Sequence, residues 1–144
     1  MNIAFFLKPK SEVVYLYSDM TVRQAYERMT RGGYTAIPMI NREGKYICTL
    51  AEGDFLRFIV NSLGQRTANE SLIRTMENTP VGNVLPRTKY VPALFDETIE
   101  QLFSLAQNQN FVPVVDGRGA FSGIVTRSEI IKYFIERENK SAAV

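Results

Sequence analysis

The sequence has no histidine and only one cysteine, Cys48, among its 144 residues. Without histidine the chain has no imidazole to act as a general base, to form a Ser-His or Cys-His pair, or to bind zinc. A single cysteine forms no disulfide within the chain, and Cys48 lies in an apolar segment that predicts a strand. We therefore interpret Cys48 as a small buried hydrophobe rather than a reactive thiol. These absences argue against nucleophilic catalysis.

Long apolar runs and strong charge are also missing. No run approaches the roughly 18 apolar residues that span a bilayer, and the first seven residues are too short for the apolar region of a signal peptide. The net charge of +2 is too small to predict binding to nucleic acid or to an anionic membrane. The acids are scattered rather than clustered as metal ligands, and the glycines lack the spacing and lysine of a P-loop. We expect a soluble, cytoplasmic, non-catalytic protein without a metal.

What the sequence does contain is an internal duplication. Thr21 and Thr98 each begin an amphipathic segment and are each followed three residues later by glutamine, which predicts a helix that starts with a capping box. An apolar run with one proline, Pro38 or Pro113, follows each helix. A glycine-bearing turn, a second strand and a second amphipathic segment then complete each copy. Such a repeat predicts two similar half-domains.

The prolines and the acids behind them recur at the same spacing. Proline cannot donate a ladder hydrogen bond, so Pro38 and Pro113 are predicted at an edge or at the end of pairing, with nearby backbone groups left free. Sixteen residues after each proline an acid, Asp54 or Glu129, opens the second helix, where the helix dipole favours a carboxylate. Each copy alone is marginal in size for a core, so we expect the copies to pack together and form paired clefts.

We divide the chain into a first repeat at residues 1–64, a connecting segment at 65–78 and a second repeat at 79–144. The connecting segment carries Leu72, Ile73 and Met76 at helical spacing, which predicts a helix and a loop. Alternatively, this segment covers a cleft. The predicted fold class is α+β, with tandem strand-helix-strand-strand-helix repeats packed with pseudo-two-fold symmetry.

The second repeat reads Val112-Pro113-Val114-Val115-Asp116, then Gly119, then Gly123-Ile124-Val125-Thr126-Arg127-Ser128-Glu129. This pattern resembles a CBS domain, and two copies resemble a CBS pair, or Bateman module, over nearly the whole sequence. The segment Gly33-Tyr34-Thr35-Ala36-Ile37-Pro38 and the pair Thr126-Arg127 are similar to small stand-alone CBS-pair proteins of Gram-positive bacteria. Some of those proteins bind cyclic di-AMP.

The resemblance implies a non-catalytic regulatory module with no cofactor beyond its regulatory ligand. That ligand is an adenine nucleotide (cyclic di-AMP, AMP, ADP or ATP) or S-adenosylmethionine, bound in a cleft between the repeats, and the binding event is passed to a protein partner of unknown identity. The family's Thr-x-x-Asp signature places a carboxylate on the ribose and a hydroxyl near the phosphate. The two copies match it unequally: the first keeps Asp54 but has Ala51 and Cys48 at the threonine and glycine positions, and the second has Thr126 with the longer Glu129.

By this resemblance the first copy forms the better site, and the second site is weaker or empty. The better site is expected to use Asp54 on the ribose, Val13, Val14, Tyr34, Thr35 and Ala36 around the adenosine, and Arg127 at its phosphate. The second site is expected to use Phe111, Thr126, Glu129 and Lys89. Other roles remain open: Asp54 and Glu129 as helix-start acids, Thr126 as an N-cap, Tyr34 as core packing, and Arg127 and Lys89 as solvated charges.

The second helices, residues 54–63 and 129–136, have apolar sides larger than one strand layer covers, and this predicts a homodimer. The alternative function is a ligand-independent dimerisation or interaction module whose nucleotide sites are degenerate.

Overall fold

The computed structural model describes residues 2–65 and 71–142. In chain order the elements are β1 (Lys8–Pro9), β2 (Leu16–Tyr17), α1 (Val22–Arg31), β3 (Ala36–Ile40), β4 (Tyr46–Ala51), α2 (Glu52–Gln65), α3 (Leu72–Asn78), β5 (Ala93–Leu94), α4 (Ile99–Asn108), β6 (Phe111–Val115), β7 (Phe121–Thr126) and α5 (Arg127–Ala142). Single 3₁₀ turns lie at Ile3–Phe6, Lys10–Glu12 and Val81–Asn83. The order strand-helix-strand-strand-helix occurs twice, which confirms the predicted α+β class.

The described residues form two compact units. One unit combines the described parts of Met1–Val13 and Tyr90–Val144, and the other is formed by Val14–Lys89. We call them the second-repeat unit and the first-repeat unit. The first-repeat unit is one continuous stretch, whereas the second-repeat unit combines N-terminal residues with the C-terminal half of the chain. The boundaries 1–64, 65–78 and 79–144 follow the sequence copies and stay a prediction. Within the connecting segment α3 is helical, and residues 66–70 lie outside the described residues.

The first-repeat unit packs α1 and α2 with a sheet of order β2-β3-β4. Strand β3 runs parallel to β2 and antiparallel to β4. The predicted capping box is confirmed: the Thr21 hydroxyl accepts from the Gln24 N–H at 3.1 Å, and the Gln24 carboxamide accepts from the Thr21 N–H at 3.0 Å. The inner face of α1 then buries its apolar residues in a core made of Leu16, Val22, Ala25, Met29, Ile37, Met39, Leu50, Phe55, Val81 and Val84.

The second-repeat unit repeats this arrangement in a sheet of order β1-β7-β6-β5. Thr98 and Gln101 form the second predicted capping box. The core contains Ile3, Phe6, Ala93, Leu102, Ala106, Val112, Val114, Val125 and Ile130. The same local signals therefore produce the same strand and helix packing in both units.

The two prolines end the pairing with β2 and β5, as predicted. We call β2 and β5 the lead-in strands, because each is the first strand of its repeat. Pro38 lies opposite Thr49 of β4, and pairing with β2 starts only at the next residue, Met39. Pro113 repeats this register, because β5 pairs with β6 only from Val114 onward. The missing proline N–H stops the ladder, so the chain just before each lead-in strand is released from the sheet.

The sheet of the second-repeat unit has a fourth strand because of Gly123. Strand β1 pairs Pro9 with Gly123, and a Cβ atom on Gly123 would lie 2.1 Å from the Lys8 carbonyl oxygen. Only glycine permits this approach. In the first-repeat unit Cys48 stands at the matching register, and the sheet in the described part of that unit has three strands.

Candidate functional site

A surface groove of about 650 Å³ lies in the first-repeat unit. Two of the predicted site residues, Val14 and Tyr34, line it. We call it the α1 groove because one face of α1 forms a wall; its lining is Val14, Tyr17, Met20, Gln24, Glu27, Arg28, Arg31, Gly32, Tyr34 and Arg42. Its volume is in the range of small-molecule pockets.

The Tyr34 ring lies against the α-carbon of Gly32. A Cβ atom on Gly32 would fall 2.1 Å from the ring, so glycine makes the room that the ring occupies. The Tyr34 N–H donates to the Met29 carbonyl at 3.0 Å, which fastens the residue to the end of α1. Tyr34 is 40% exposed and is therefore not a core residue. Its ring presents an aromatic face to the groove.

Val14 lines the groove just ahead of strand β2. It is 38% exposed, and pairing of β2 with β3 begins two residues later at Leu16. Within residues 2–65 and 71–142, neither its N–H nor its C=O makes a hydrogen bond. Val14 thus offers one donor and one acceptor from a single residue at the groove wall.

Three arginines and one glutamate give the α1 groove a positive lining. Arg28 donates to the Tyr15 carbonyl at 3.0 Å and so holds the chain next to Val14. Arg42 bonds Asp19 at 2.8 Å, and this hydrogen bond raises the pKa of Arg42 and lowers the pKa of Asp19. Arg31 stands in the last turn of α1. The sequence analysis missed these arginines, although Arg28 and Arg31 are three residues apart on one helix face.

Asp54 lies at the junction of β3, β4 and α2 and does not line the α1 groove. Only 5% of Asp54 is exposed. Its Oδ2 accepts from the Ala51 N–H at 2.8 Å, and its Oδ1 accepts from Arg57 at 2.7 Å and from the Arg87 N–H at 2.9 Å. The bond to Ala51 is a helix-start contact, as the alternative role expected. A carboxylate has about four lone-pair sites, so one further donor is accommodated.

Thr35 and Ala36, predicted as adenosine contacts, adjoin this junction. The Glu52 N–H donates to the Thr35 carbonyl at 3.2 Å, and Ala36 pairs with Ala51. Lys89 is exposed at the end of the first-repeat unit. Val13 is buried in the other unit, where it follows the turn Lys10–Glu12.

The remaining predicted residues gather in the second-repeat unit. Phe111 pairs with Thr126, and the Thr126 hydroxyl accepts from the Glu129 N–H at 3.2 Å, which is an N-cap contact. Arg127 donates to the carbonyls of Ala106 at 2.7 Å and Gln107 at 3.1 Å. Arg127 therefore caps the carboxyl end of α4, and its side chain is still exposed to solvent. Glu129 and Thr126 line a separate surface pocket with the 3₁₀ turn near Phe5.

The family model for the CBS domain matches residues 6–61 and 81–136. The chain belongs to the CBS domain family. The crystal structure of CbpB in complex with c-di-AMP superimposes with a TM-score of 0.87 at 22% identity, covering 99% of this chain and 90% of that one. The Listeria monocytogenes CbpB complex with c-di-AMP has a TM-score of 0.78 at 22% identity, covering 95% and 97% of the two chains.

Two further relatives carry less specific information. CBSX2 in complex with AMP has a TM-score of 0.71 at 20% identity, covering 95% of this chain and 98% of that chain. An uncharacterized protein of Methanocaldococcus jannaschii is 26% identical over 145 residues, covering 85% of this chain and 86% of its own. The structural similarities confirm the CBS-pair fold.

In this CBS pair, sequence reasoning also missed Gln109. Gln109 is 5% exposed, and its side chain connects the chain just before β5 to the start of β6. Its Oε1 accepts from the Val91 N–H at 2.7 Å, and its Nε2 donates to the carbonyls of Val91 at 3.1 Å and Phe111 at 3.3 Å. The sequence offers one sign of this difference between the repeats: the segment from Thr98 to Pro113 is two residues shorter than the segment from Thr21 to Pro38.

Cys48 packs against the core of the first repeat. Burial, with a smaller contribution from the Asp54 charge, raises the pKa of its thiol to about 11. The thiol is therefore protonated at neutral pH, which agrees with its interpretation as an apolar residue. Among the described residues, no three His, Cys, Asp or Glu side chains are grouped so that they hold a metal. No described helix has the length and apolar content that a membrane span requires.

Proposed function

We propose that this CBS pair is a regulatory module whose first repeat binds an adenine nucleotide and passes the binding event to a protein partner. The observation that carries the proposal is the α1 groove, where an aromatic ring and arginines occur together with a main-chain donor and acceptor that have no partner among the described residues. The c-di-AMP complexes of CbpB and the AMP complex of CBSX2 support the same ligand class.

The base and the phosphate of an adenine nucleotide each have a partner in this groove. The base stacks on the Tyr34 ring, and its N1 and N6 groups pair with the Val14 N–H and C=O. Arg28 and Arg31 attract the phosphate, because guanidinium groups bind phosphate oxygens through several N–H donors. The groove is open and the arginines are exposed, so charged ligands reach it from solvent.

The residues predicted from the family signature complete the proposal. Asp54 accepts a ribose hydroxyl at its remaining lone pair, with Thr35 and Ala36 beside it. The roles that the family signature predicts for Val13 toward the adenosine and for Arg127 toward the phosphate stay predictions, since both residues belong to the second-repeat unit. The second site, with Phe111, Thr126 and Glu129 of the second-repeat unit, is the weaker or empty one; the predicted contribution of Lys89, which belongs to the first-repeat unit, stays a prediction.

Replacing Tyr34 with alanine is expected to weaken AMP or cyclic di-AMP binding by about 5- to 150-fold, because stacking of a base on an aromatic ring contributes about 1–3 kcal/mol. Isothermal titration calorimetry measures the affinity. Tyr26→Ala is the matched control, since Tyr26 is 38% exposed on α1 against 40% for Tyr34, but does not line the groove. The control should keep the affinity of the unaltered protein.

Equal losses in the two tyrosine variants would contradict the groove assignment. A protein that binds none of AMP, ATP, cyclic di-AMP or S-adenosylmethionine would favour the ligand-independent interaction module instead.

We also propose that the protein is a homodimer. Leu56, Val60 and Leu63 of α2 are exposed, and so are Ile131, Phe134 and Ile135 of α5. Rows of large apolar residues at helical spacing mark interaction surfaces. Both rows are on the second helix of a repeat, and self-association through like surfaces gives a closed dimer.

Ile131→Glu is expected to convert the dimer to a monomer, because the interface would have to bury an unpaired carboxylate. Light scattering after size-exclusion chromatography gives the mass. Lys140→Glu is the control, since Lys140 lies nine residues further along α5 and therefore on the opposite side of the helix. A monomeric unaltered protein at micromolar concentration would refute the dimer.

A further inference from the structure

The side chain of Gln109 makes contacts that the first repeat lacks. Its carboxamide supplies an acceptor to the Val91 N–H and a donor to the Val91 C=O. The same Nε2 also reaches the Phe111 carbonyl at 3.3 Å, the first residue of β6. A carboxamide presents a donor beside an acceptor, and so does the N6 and N1 edge of adenine.

Strand register identifies the matching residues of the first repeat. β2 pairs with β3 from Leu16 and Met39, and β5 pairs with β6 from Ala93 and Val114. Val14 and Val91 each lie two residues before that first pair. Val91 is paired by Gln109, whereas the N–H and C=O of Val14 make no hydrogen bond within the described residues.

The shorter loop of the second repeat explains how Gln109 reaches Val91. In the first repeat Gly32 and Gly33 follow α1, and Tyr34 comes two residues before β3. In the second repeat these glycines have no counterpart, and Gln109 directly follows α4, two residues before β6. The side chain at this position therefore points into the sheet edge in one repeat and lines an open groove in the other.

Other side chains also cover the start of β6 beside Gln109. The Tyr90 ring packs on Phe111 at 5.4 Å between centroids, and its hydroxyl accepts from the Asn110 N–H at 3.4 Å. Arg127 is drawn to the end of α4 by its bonds to Ala106 and Gln107. The start of β6 is thus covered by other protein groups, whereas the start of β3 in the first repeat borders exposed residues.

We propose that Gln109 takes the place of a nucleobase in the second repeat, so that only the first repeat has an open base site. This inference rests on the proposed function, because it uses adenine as the base that Val14 reads. It makes Gln109 the residue that sets the stoichiometry at one AMP per chain.

The test is the number of AMP molecules bound per chain, measured by isothermal titration calorimetry. The unaltered protein should bind one, and Gln109→Ala, which uncovers the Val91 N–H and C=O, should bind two. Gln107→Ala is the matched control, since it removes the same side chain from an exposed position on α4 and should leave the number at one.

The outcomes separate this inference from the proposed function. One AMP in both the unaltered protein and a folded Gln109→Ala overturns the role of Gln109 and leaves the proposed function standing. Two AMP in the unaltered protein also overturns it. No AMP in the unaltered protein but one in Gln109→Ala refutes nucleotide binding by the first repeat and supports the role of Gln109. No binding in either refutes both.

A measurement on the unaltered protein keeps the inference falsifiable if Gln109→Ala fails to fold. In two-dimensional ¹H–¹⁵N NMR spectra, AMP should shift the Val14 amide and leave the Val91 amide and the Gln109 carboxamide in place. The Gln109 carboxamide protons should exchange slowly with water because they are buried and bonded. A Val91 amide that shifts with AMP, or rapid exchange at Gln109, would overturn the proposal.

Discussion

Gly123→Ala is expected to lower the free energy of unfolding by about 3–5 kcal/mol, because the new methyl group would overlap backbone atoms, which cannot rotate away as a side chain can. The atom it would meet is the Lys8 carbonyl oxygen at 2.1 Å, which is backbone, and Gly123 has a φ of +151°. Strand β1 would have to leave β7, and the residues preceding it belong to the core through Ile3 and Phe6. Urea denaturation measures the loss.

Two other glycines of the same repeat serve as controls for Gly123. A Cβ atom on Gly117 meets nothing within 4 Å, so Gly117→Ala should stay within about 0.5 kcal/mol of the unaltered protein. Gly119 also has open space but a φ of +82°, so Gly119→Ala should cost about 1–2 kcal/mol through backbone strain alone. If Gly123→Ala were no worse than Gly119→Ala, the close approach of β1 would not be what requires glycine.

Asp54→Ala is expected to destabilise the first-repeat unit by about 2–4 kcal/mol. Its carboxylate accepts from Arg57 and from the main-chain N–H groups of Ala51 and Arg87. Removing it leaves two donors and a guanidinium without their acceptor at a site that is 5% exposed. Thermal unfolding with and without nucleotide separates this structural loss from any loss of affinity.

Asp19→Ala is the matched control for Asp54. Asp19 also pairs with an arginine, Arg42, at 2.8 Å, but its side chain is 55% exposed. Exposed ion pairs contribute little because water and salt screen them, so the unfolding temperature should not change measurably. Equal effects of Asp19→Ala and Asp54→Ala would show that burial of the Asp54 carboxylate is not what makes it important.

The local elements of the fold were predictable because their signals are short-range. Each capping box needs only a threonine and a glutamine three residues apart, and both form as predicted. The two prolines end the lead-in pairing for a reason that resides in proline itself. The lengths of α2 and α5 were less predictable: they run to Gln65 and Ala142, beyond the predicted 63 and 136, because exposed polar ends of helices carry no stop signal.

The candidate site was predictable only in part. Val14 and Tyr34 do line one groove, and Thr35, Ala36 and Asp54 do lie at one junction. The alternative local roles of Thr126 and Asp54 are visible as N-cap and helix-start bonds. Arg127 was different. Two of its donors go to carbonyls at the end of α4 and a third to the Asn110 side chain beyond it, and no pattern in the sequence names the acceptors that an arginine reaches.

The sequence by itself determined the duplication, the α+β class, the caps and the family, because these depend on residue types at fixed spacings along the chain. Only the tertiary structure decided that β1 joins the sheet of the second repeat. It also decided that Gln109 pairs with Val91, while the main chain of Val14 has no hydrogen-bond partner in the part of the chain that the structure describes. The physical reason is that such pairings join residues remote in sequence. The pairing of β1 depends on the space beside Gly123, and the pairing of Gln109 depends on a loop that is two residues shorter in the second repeat than in the first. Both effects depend on how the folded chain packs.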